Sequence, residues 1–153
     1  MGSRQNLTVI DTNIFVIDLR YQRDKNFRVN REFLNRISKS GLGVTTLINL
    51  LELCGILSFN LNLQQLTELF FYFSQHYKVQ VVPPPEFKQF FPAIQIEDIF
   101  KIITLKVSLG DALFITTIKK YLPLASMVVS WDKEHLAGKI DIEVISPGDF
   151  LDK

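Results

Sequence analysis

Two aspartates of this sequence each come at the end of a short apolar run. Asp11 follows LTVI (7–10), and Asp132 follows SMVVS (126–130) with one residue between. An aspartate at the end of a buried strand can ligate a metal ion. It can equally cap the next helix or form an Asx turn, because Asp is common in both roles. At this point both interpretations stay open for both residues.

Two further carboxylates lie in predicted helices. Glu52 interrupts the apolar stretch TTLINLLELCGIL (45–57), three residues after Asn49 and therefore on the same helix face. Because that stretch is apolar nearly all round, we expect a buried helix, in which a carboxylate is costly unless it is paired or binds a metal. The alternative is a helix face that reaches solvent. Asp111 opens another helix, where Ser108-x-x-Asp111 also resembles a capping box.

The four positions together are more specific than any one of them. In a parallel sheet, strand ends and the helices that follow them meet at one edge. Carboxylates that converge there repel one another, and a divalent cation relieves that repulsion. Ligation by oxygen alone selects Mg²⁺ or Mn²⁺ over zinc. The sequence therefore predicts a metal site built from Asp11, Glu52, Asp111 and Asp132.

Short apolar runs alternate along the chain with longer segments of helical periodicity. Apolar strands separated by helices indicate a mainly parallel α/β sheet with helices on both faces, a three-layer sandwich. Ligands of such sheets bind outside the carboxyl ends of the strands. The predicted strands are 7–10, 43–46, 79–82, 126–130 and 142–145, and the main predicted helices start at Thr12 and cover 29–39, 46–58, 63–76, 95–106 and 110–121.

Length and composition favour one globular domain spanning residues 1–153, with residues 1–6 as a flexible lead-in. The chain has 153 residues, 47% of them hydrophobic, and a net charge of +1, which excludes a uniformly basic nucleic-acid coat. A single cysteine excludes an internal disulfide and makes the cytoplasm the natural compartment. The sequence contains no apolar run of membrane-spanning length.

Charge is segregated within the chain. Residues 20–39 hold seven basic and two acidic residues, a net charge of +5, whereas the rest of the chain has ten basic and fourteen acidic residues and carries −4. Basic residues mixed with Tyr21 and Phe27 suit a single-stranded RNA with stacked bases, and an acidic protein segment is the other candidate partner. The candidate RNA-binding residues are Arg20, Arg23, Lys25, Arg28 and Arg31.

The four acidic segments, VIDTNIF, LINLLELCGIL, LGDALF and VVSWDKEHL, resemble in order and spacing the motifs of the PIN domain. The resemblance covers nearly the whole chain and implies a Mg²⁺- or Mn²⁺-dependent ribonuclease. Small members of this length are similar to the VapC toxins of toxin–antitoxin pairs, which implies a homodimer and a cognate antitoxin as a second partner.

The resemblance assigns the acidic metal site to Asp11, Glu52, Asp111 and Asp132. Thr12, Asn13 and Ser130 would orient Asp11 or a metal-bound water. Trp131 departs from the family pattern, which more often has a small, polar or basic residue there. This Trp could stack on a substrate base, or pack against the core or a partner chain.

Two alternatives belong to other classes. A phosphatase of the haloacid-dehalogenase type also begins with a strand and an Asp, but it needs an Asp-x-Asp pair, and here the third position is Asn13. A PIN domain that only binds RNA or protein would keep the fold without cutting. The intact acidic set argues against this second alternative.

Overall fold

The computed structural model describes residues 6–153. Five strands form a single sheet in the order β3-β2-β1-β4-β5, and every neighbouring pair is parallel. The strands are β1 (Thr8–Ile10), β2 (Gly43–Thr46), β3 (Gln80–Val82), β4 (Met127–Val129) and β5 (Glu143–Ile145). The predicted parallel α/β sheet is thus confirmed. Residues 1–5, most of the predicted lead-in, lie outside the described residues.

Within residues 6–153, eight helices connect the strands or follow them. They are α1 (Thr12–Arg20), α2 (Phe27–Ser40), α3 (Leu47–Leu57), α4 (Leu63–Tyr77), α5 (Ile96–Ile103), α6 (Leu109–Tyr121), α7 (Lys133–Leu136) and α8 (Pro147–Leu151). The predicted helix over 95–106 ends at Ile103 instead, and Lys106 takes a left-handed conformation with φ of 67°. None of these helices is both long and apolar enough to cross a bilayer.

The sheet is covered on both faces, which makes the fold a three-layer sandwich. Neighbouring residues of one strand point to opposite faces, so Val9 joins the core on the α5–α6 side while Ile10 joins the core under α1 to α4. Val128 and Val129 divide in the same way. Since both faces are buried, the strands are apolar throughout rather than alternating.

Strand order places a crevice at the middle of the sheet. The chain leaves β1 to form β2 on one side and later returns to form β4 on the other side of β1. The carboxyl ends of β1 and β4 therefore flank the point where the connections diverge. This is where open α/β sheets bind their ligands.

Gly43 lies where β2 is packed tightly against the residues around it. A Cβ added there would lie 2.4 Å from Ile37 Cγ2 and 3.1 Å from Val79 Cγ2. We expect Gly43→Ala to lower the free energy of unfolding by about 1–3 kcal/mol, because the core cannot accept the extra atom without shifting. Urea unfolding followed by circular dichroism measures this.

Gly55 supplies the matched control, because a Cβ added there meets nothing within 4 Å. Gly55→Ala should raise the free energy of unfolding by about 0.5–1 kcal/mol, since Ala favours a helix interior. Equal effects of the two substitutions would contradict the packing described here.

Candidate active site

Asp11 lies at the carboxyl end of β1 and is also the N-cap of α1. Its Oδ1 accepts a hydrogen bond from the backbone N–H of Thr12 at 2.7 Å. The two interpretations that the sequence left open for Asp11 are therefore compatible. The cap engages one carboxylate oxygen and holds the group at the centre of the crevice.

The second oxygen of Asp11 is held by residues from two strand ends. The Ser130 hydroxyl, just after β4, donates to Asp11 Oδ2 at 2.7 Å. The Asn13 amide donates to Ser130 Oγ at 3.0 Å and approaches Asp11 Oδ2 at 3.5 Å. These contacts restrict the rotation of the carboxylate, so Ser130 and Asn13 do lie where they can orient Asp11.

Two polar residues that the sequence analysis left without a role complete this network. The Asn49 amide donates to Thr12 Oγ1 at 2.9 Å and lies 3.5 Å from Asp11 Oδ1. Thr46 caps α3 and holds the Asn49 side chain in turn, with Thr46 Oγ1 donating to Asn49 Oδ1 at 2.6 Å. The feature of the sequence that could have predicted these contacts is the capping box formed by Thr46 and Asn49, in which Asn takes the place of the usual Glu or Gln.

Glu52 reaches the site from the face of α3 that also carries Asn49. The helix is not buried on all sides as predicted, because Leu51 and Glu52 are exposed and Leu51 lines an open apolar groove. The Glu52 carboxylate turns toward the first turn of α6, where a Cβ on Gly110 would stand 3.6 Å from Oε2. This arrangement puts Glu52 beside Asp111.

Asp111 lies in the first turn of α6, which Ser108 caps by accepting from the Asp111 N–H at 3.1 Å. The cap uses the backbone of Asp111 and leaves its carboxylate outside the capping interaction. The sheet and its helices thus bring Asp11, Glu52 and Asp111 close enough for their charges to act on one another.

Burial and these neighbours change the acidity of the site. Desolvation raises the pKa of Asp11 to about 6, partly offset by the Ser130 and Thr12 hydrogen bonds, and the charges of Glu52 and Asp111 raise it further. Desolvation also raises the pKa of Glu52, and the charge of Asp111 adds to that effect. Like charges brought close together in a partly desolvated crevice are the condition that a bound cation relieves.

Asp132 is attached to the site through its backbone rather than its side chain. Its N–H donates to Ser130 Oγ at 3.0 Å, while the residue itself is exposed at the start of α7. The charges that raise the pKa of Asp11 come from Glu52 and Asp111. The structure therefore brings together three of the four predicted acidic residues and leaves Asp132 at the margin.

The three central carboxylates lack cationic partners within residues 6–153. The ion pairs found there are Arg31–Asp18, Lys101–Glu97, Lys133–Asp149 and Lys153–Glu143. A donor set made of carboxylate oxygens fits a hard divalent cation such as Mg²⁺ or Mn²⁺. Across the same residues, however, no three His, Cys, Asp or Glu side chains are already arranged around one point that could hold an ion.

The basic segment shows two kinds of residue. Arg23, Lys25 and Arg28 are exposed. Arg31 forms an ion pair at 2.8 Å with Asp18, a buried carboxylate that also accepts from the Tyr77 hydroxyl at 2.7 Å. Arg20 donates to Asn60 Oδ1. Arg31 and Arg20 therefore have roles within the fold, whatever else they contact.

The fold is an α/β sandwich around an all-parallel sheet, with acidic residues near the carboxyl ends of the central strands. Proteins of this class bind their ligands at that edge. The sequence pattern of the PIN domain matches residues 8–122, and the chain belongs to the PIN domain family. The matched region includes Asp11, Glu52 and Asp111 and ends before Asp132. The search of curated proteins found no match to this chain.

Solved structures support the same fold. A chain from the "Structure of FitAB bound to IR36 DNA fragment" superposes with a TM-score of 0.57 at 15% sequence identity. The similarity covers 92% of this chain and 95% of that chain. At this identity the comparison establishes the common fold.

The raised pKa of Asp11 predicts an unusual effect on stability in metal-free solution. Protonated Asp11 stabilises the fold fully below its ordinary pKa of 3.8, and this contribution is lost as the pH rises through about 6. Asp11→Asn removes the buried charge. At pH 7.5 we expect it to raise the free energy of unfolding by up to about 3 kcal/mol, the equivalent of two pKa units.

Urea unfolding in EDTA at pH 4.0 and 7.5 tests this expectation, with Asp132→Asn as the exposed control. The gain from Asp11→Asn should shrink at pH 4.0, and the control should differ little from the parent at either pH. A loss of stability in Asp11→Asn at pH 7.5 would contradict the account of Asp11 as a buried, strained charge.

Proposed function

We propose that this protein is a Mg²⁺- or Mn²⁺-dependent endoribonuclease that hydrolyses phosphodiester bonds of single-stranded RNA. The observation that carries the proposal is the meeting of Asp11, Glu52 and Asp111 at the central strand ends without a cationic partner among the described residues. Membership of the PIN domain family supports it, because nucleases of this kind are what the resemblance implied.

Asp11, Glu52 and Asp111 would hold the metal, with Asp132 as a fourth ligand at the margin of the site. A divalent ion held by these carboxylates would supply a water molecule of lowered pKa and positive charge opposite the phosphate. The chain's own contribution is orientation. Ser130 and Asn13 hold one oxygen of Asp11, while the Thr12 N–H holds the other and Asn49 lies nearby.

RNA binding would fall to the exposed members of the basic segment. Arg23, Lys25 and Arg28 can contact phosphates, because exposed cations bind a nucleic-acid backbone by releasing counterions. Arg20 and Arg31 belong to the same surface, although part of their hydrogen-bonding capacity is used by Asn60 and Asp18. Contacts of this kind position a strand without selecting its sequence.

The same proposal includes a biological role as a VapC-like toxin in the cytoplasm. It would act as a homodimer and be restrained by a cognate antitoxin. Support comes from the four-motif resemblance and from an open groove of about 340 Å³ that includes Leu51, Phe87, Phe90 and Phe91. Apolar surface of this kind commonly marks a protein contact.

A second candidate function is a PIN domain that binds RNA without cutting it. It is favoured by one observation, that no three potential ligands within residues 6–153 are already arranged around a metal position. The two functions differ in one measurable property. A nuclease needs its carboxylates for turnover, whereas a binding module does not.

Cleavage of end-labelled single-stranded RNA with Mg²⁺, Mn²⁺ or EDTA tests the nuclease function. We expect cutting only with metal, and a reduction of about 100-fold or more in kcat for Asp11→Asn, because the central ligand is lost. Asp152→Asn, near the carboxyl terminus, is the control of equal charge change and should cut like the parent. Metal-independent RNA binding with no cutting under any condition would favour the binding module.

Arg28 tests the proposed RNA surface separately from catalysis. In EDTA, Arg28→Ala should weaken binding of a fluorescent RNA and reduce the slope of log Kd against log salt by about 0.7, the loss of one phosphate contact to a single strand. Lys119→Ala removes an equal charge on α6, outside the basic segment, and should leave the slope unchanged. Equal slopes for all three proteins would show that α2 does not contact RNA.

A further inference from the structure

Trp131 is tied to the rest of the protein at two points. Its backbone N–H donates to Asn13 Oδ1 at 3.2 Å, and its indole Nε1–H donates to Asn30 Oδ1 at 2.8 Å. The ring is partly buried against the core under α1 and α2. Of the roles that the sequence left open for this Trp, packing against the core is the one that the structure shows.

Asn30 is the polar residue that receives this ring. It is 0% exposed within α2, on the same side as Phe33 and Leu34. Its Nδ2 donates to the backbone carbonyl of Ile14 in α1 at 2.9 Å. A buried amide in an apolar core is costly unless both ends are bonded, and here one end is bonded to α1 and the other to Trp131.

Trp131 stands between two residues of the candidate active site. Ser130 precedes it and donates its hydroxyl to Asp11, and Asp132 follows it and donates its N–H back to Ser130 Oγ. A shift of the Trp131 ring would therefore move both neighbours. The contact between Asn30 and Trp131 restrains the segment that holds Asp11 in place.

We propose that Asn30 is a positioning residue of the active site. It acts through the Trp131 indole to keep Ser130 and Asp132 in register with Asp11. This inference rests on the proposed nuclease function, and it adds Asn30, the fourth residue of α2, which lies outside all four acidic motifs. Helix α2 thereby has two roles. Its exposed Arg28 belongs to the basic surface, and its buried Asn30 holds Trp131.

Two variants remove the same hydrogen bond from opposite ends. Trp131→Phe deletes the indole donor and keeps an aromatic ring, while Asn30→Ala deletes the acceptor and also the bond to Ile14. Asn35→Ala, an exposed position on the same helix, is the matched control. Trp131→Phe keeps the test possible if Asn30→Ala does not fold.

We expect each single variant to lower kcat on single-stranded RNA about 10-fold, as is typical of residues that support metal ligands, and to leave KM unchanged. The double variant should lose no more activity than the more damaged single variant, because both changes break one interaction. Asn35→Ala should match the parent in both constants.

Hydrogen exchange of metal-free protein gives a measurement that does not depend on activity. Trp131 is the only Trp of the chain, so its indole N–H gives one resolved signal. In Asn30→Ala, exchange should become faster at the indole, at the Trp131 amide and at the Asp132 amide. The Ser130 amide, which donates to Ile145 in the sheet at 3.0 Å, should stay protected.

Several results would overturn the inference. These are unchanged kcat in folded variants, a rise in KM alone, multiplicative losses in the double variant, or exchange that stays slow at the Trp131 and Asp132 amides. Failure of the nuclease proposal looks different. In that case the parent protein does not cut RNA, yet the exchange pattern still shows whether Asn30 restrains the segment.

Discussion

The rest of the site depends on the hydrogen bonds that hold the carboxylate of Asp11. It caps α1 through Thr12, accepts the Ser130 hydroxyl from beyond β4, and lies near the amides of Asn13 and Asn49. Because the group is buried and lies near two other carboxylates, its pKa rises to about 6. Several hydrogen bonds therefore hold the Asp11 carboxylate where desolvation and neighbouring charges disfavour its ionised form. A cation bound there would stabilise that form.

Helix caps lie next to the site residues in this crevice, and Asp11 is both. Thr46 caps α3 and fixes Asn49, which bonds Thr12, and Ser108 caps α6 three residues before Asp111. Parallel strands end at one edge, and each is followed by a helix whose first N–H groups need acceptors. Short polar side chains satisfy that need and place further polar groups at the same edge.

Helix α2 shows how one element can serve three parts of the molecule. Phe33 and Ile37 pack into the core, and Arg28 faces solvent at a basic surface. Arg31 pairs with buried Asp18, and Asn30 holds Trp131. Because α2 is docked at both apolar and polar positions, it is held in place against the segment that follows β4.

Much of this could be predicted from the sequence alone. Apolar runs of three to five residues and helical periodicity are local signals, so the strands, most helix bounds and the parallel sheet followed from them. The motifs around Asp11, Glu52 and Asp111 were visible because a strand followed by an Asp, and an acidic residue in an apolar helix, are unusual at short range.

Only the tertiary structure decided which polar groups meet. Asn30 and Trp131 are 101 residues apart in sequence, Asn49 bonds a residue 37 positions away, and Asp132 is exposed although its motif resembles that of Asp11. The sequence favoured a buried α3 and left a solvent-exposed face as the alternative, since burial depends on which neighbours cover a helix, and an apolar sequence does not specify where they stop.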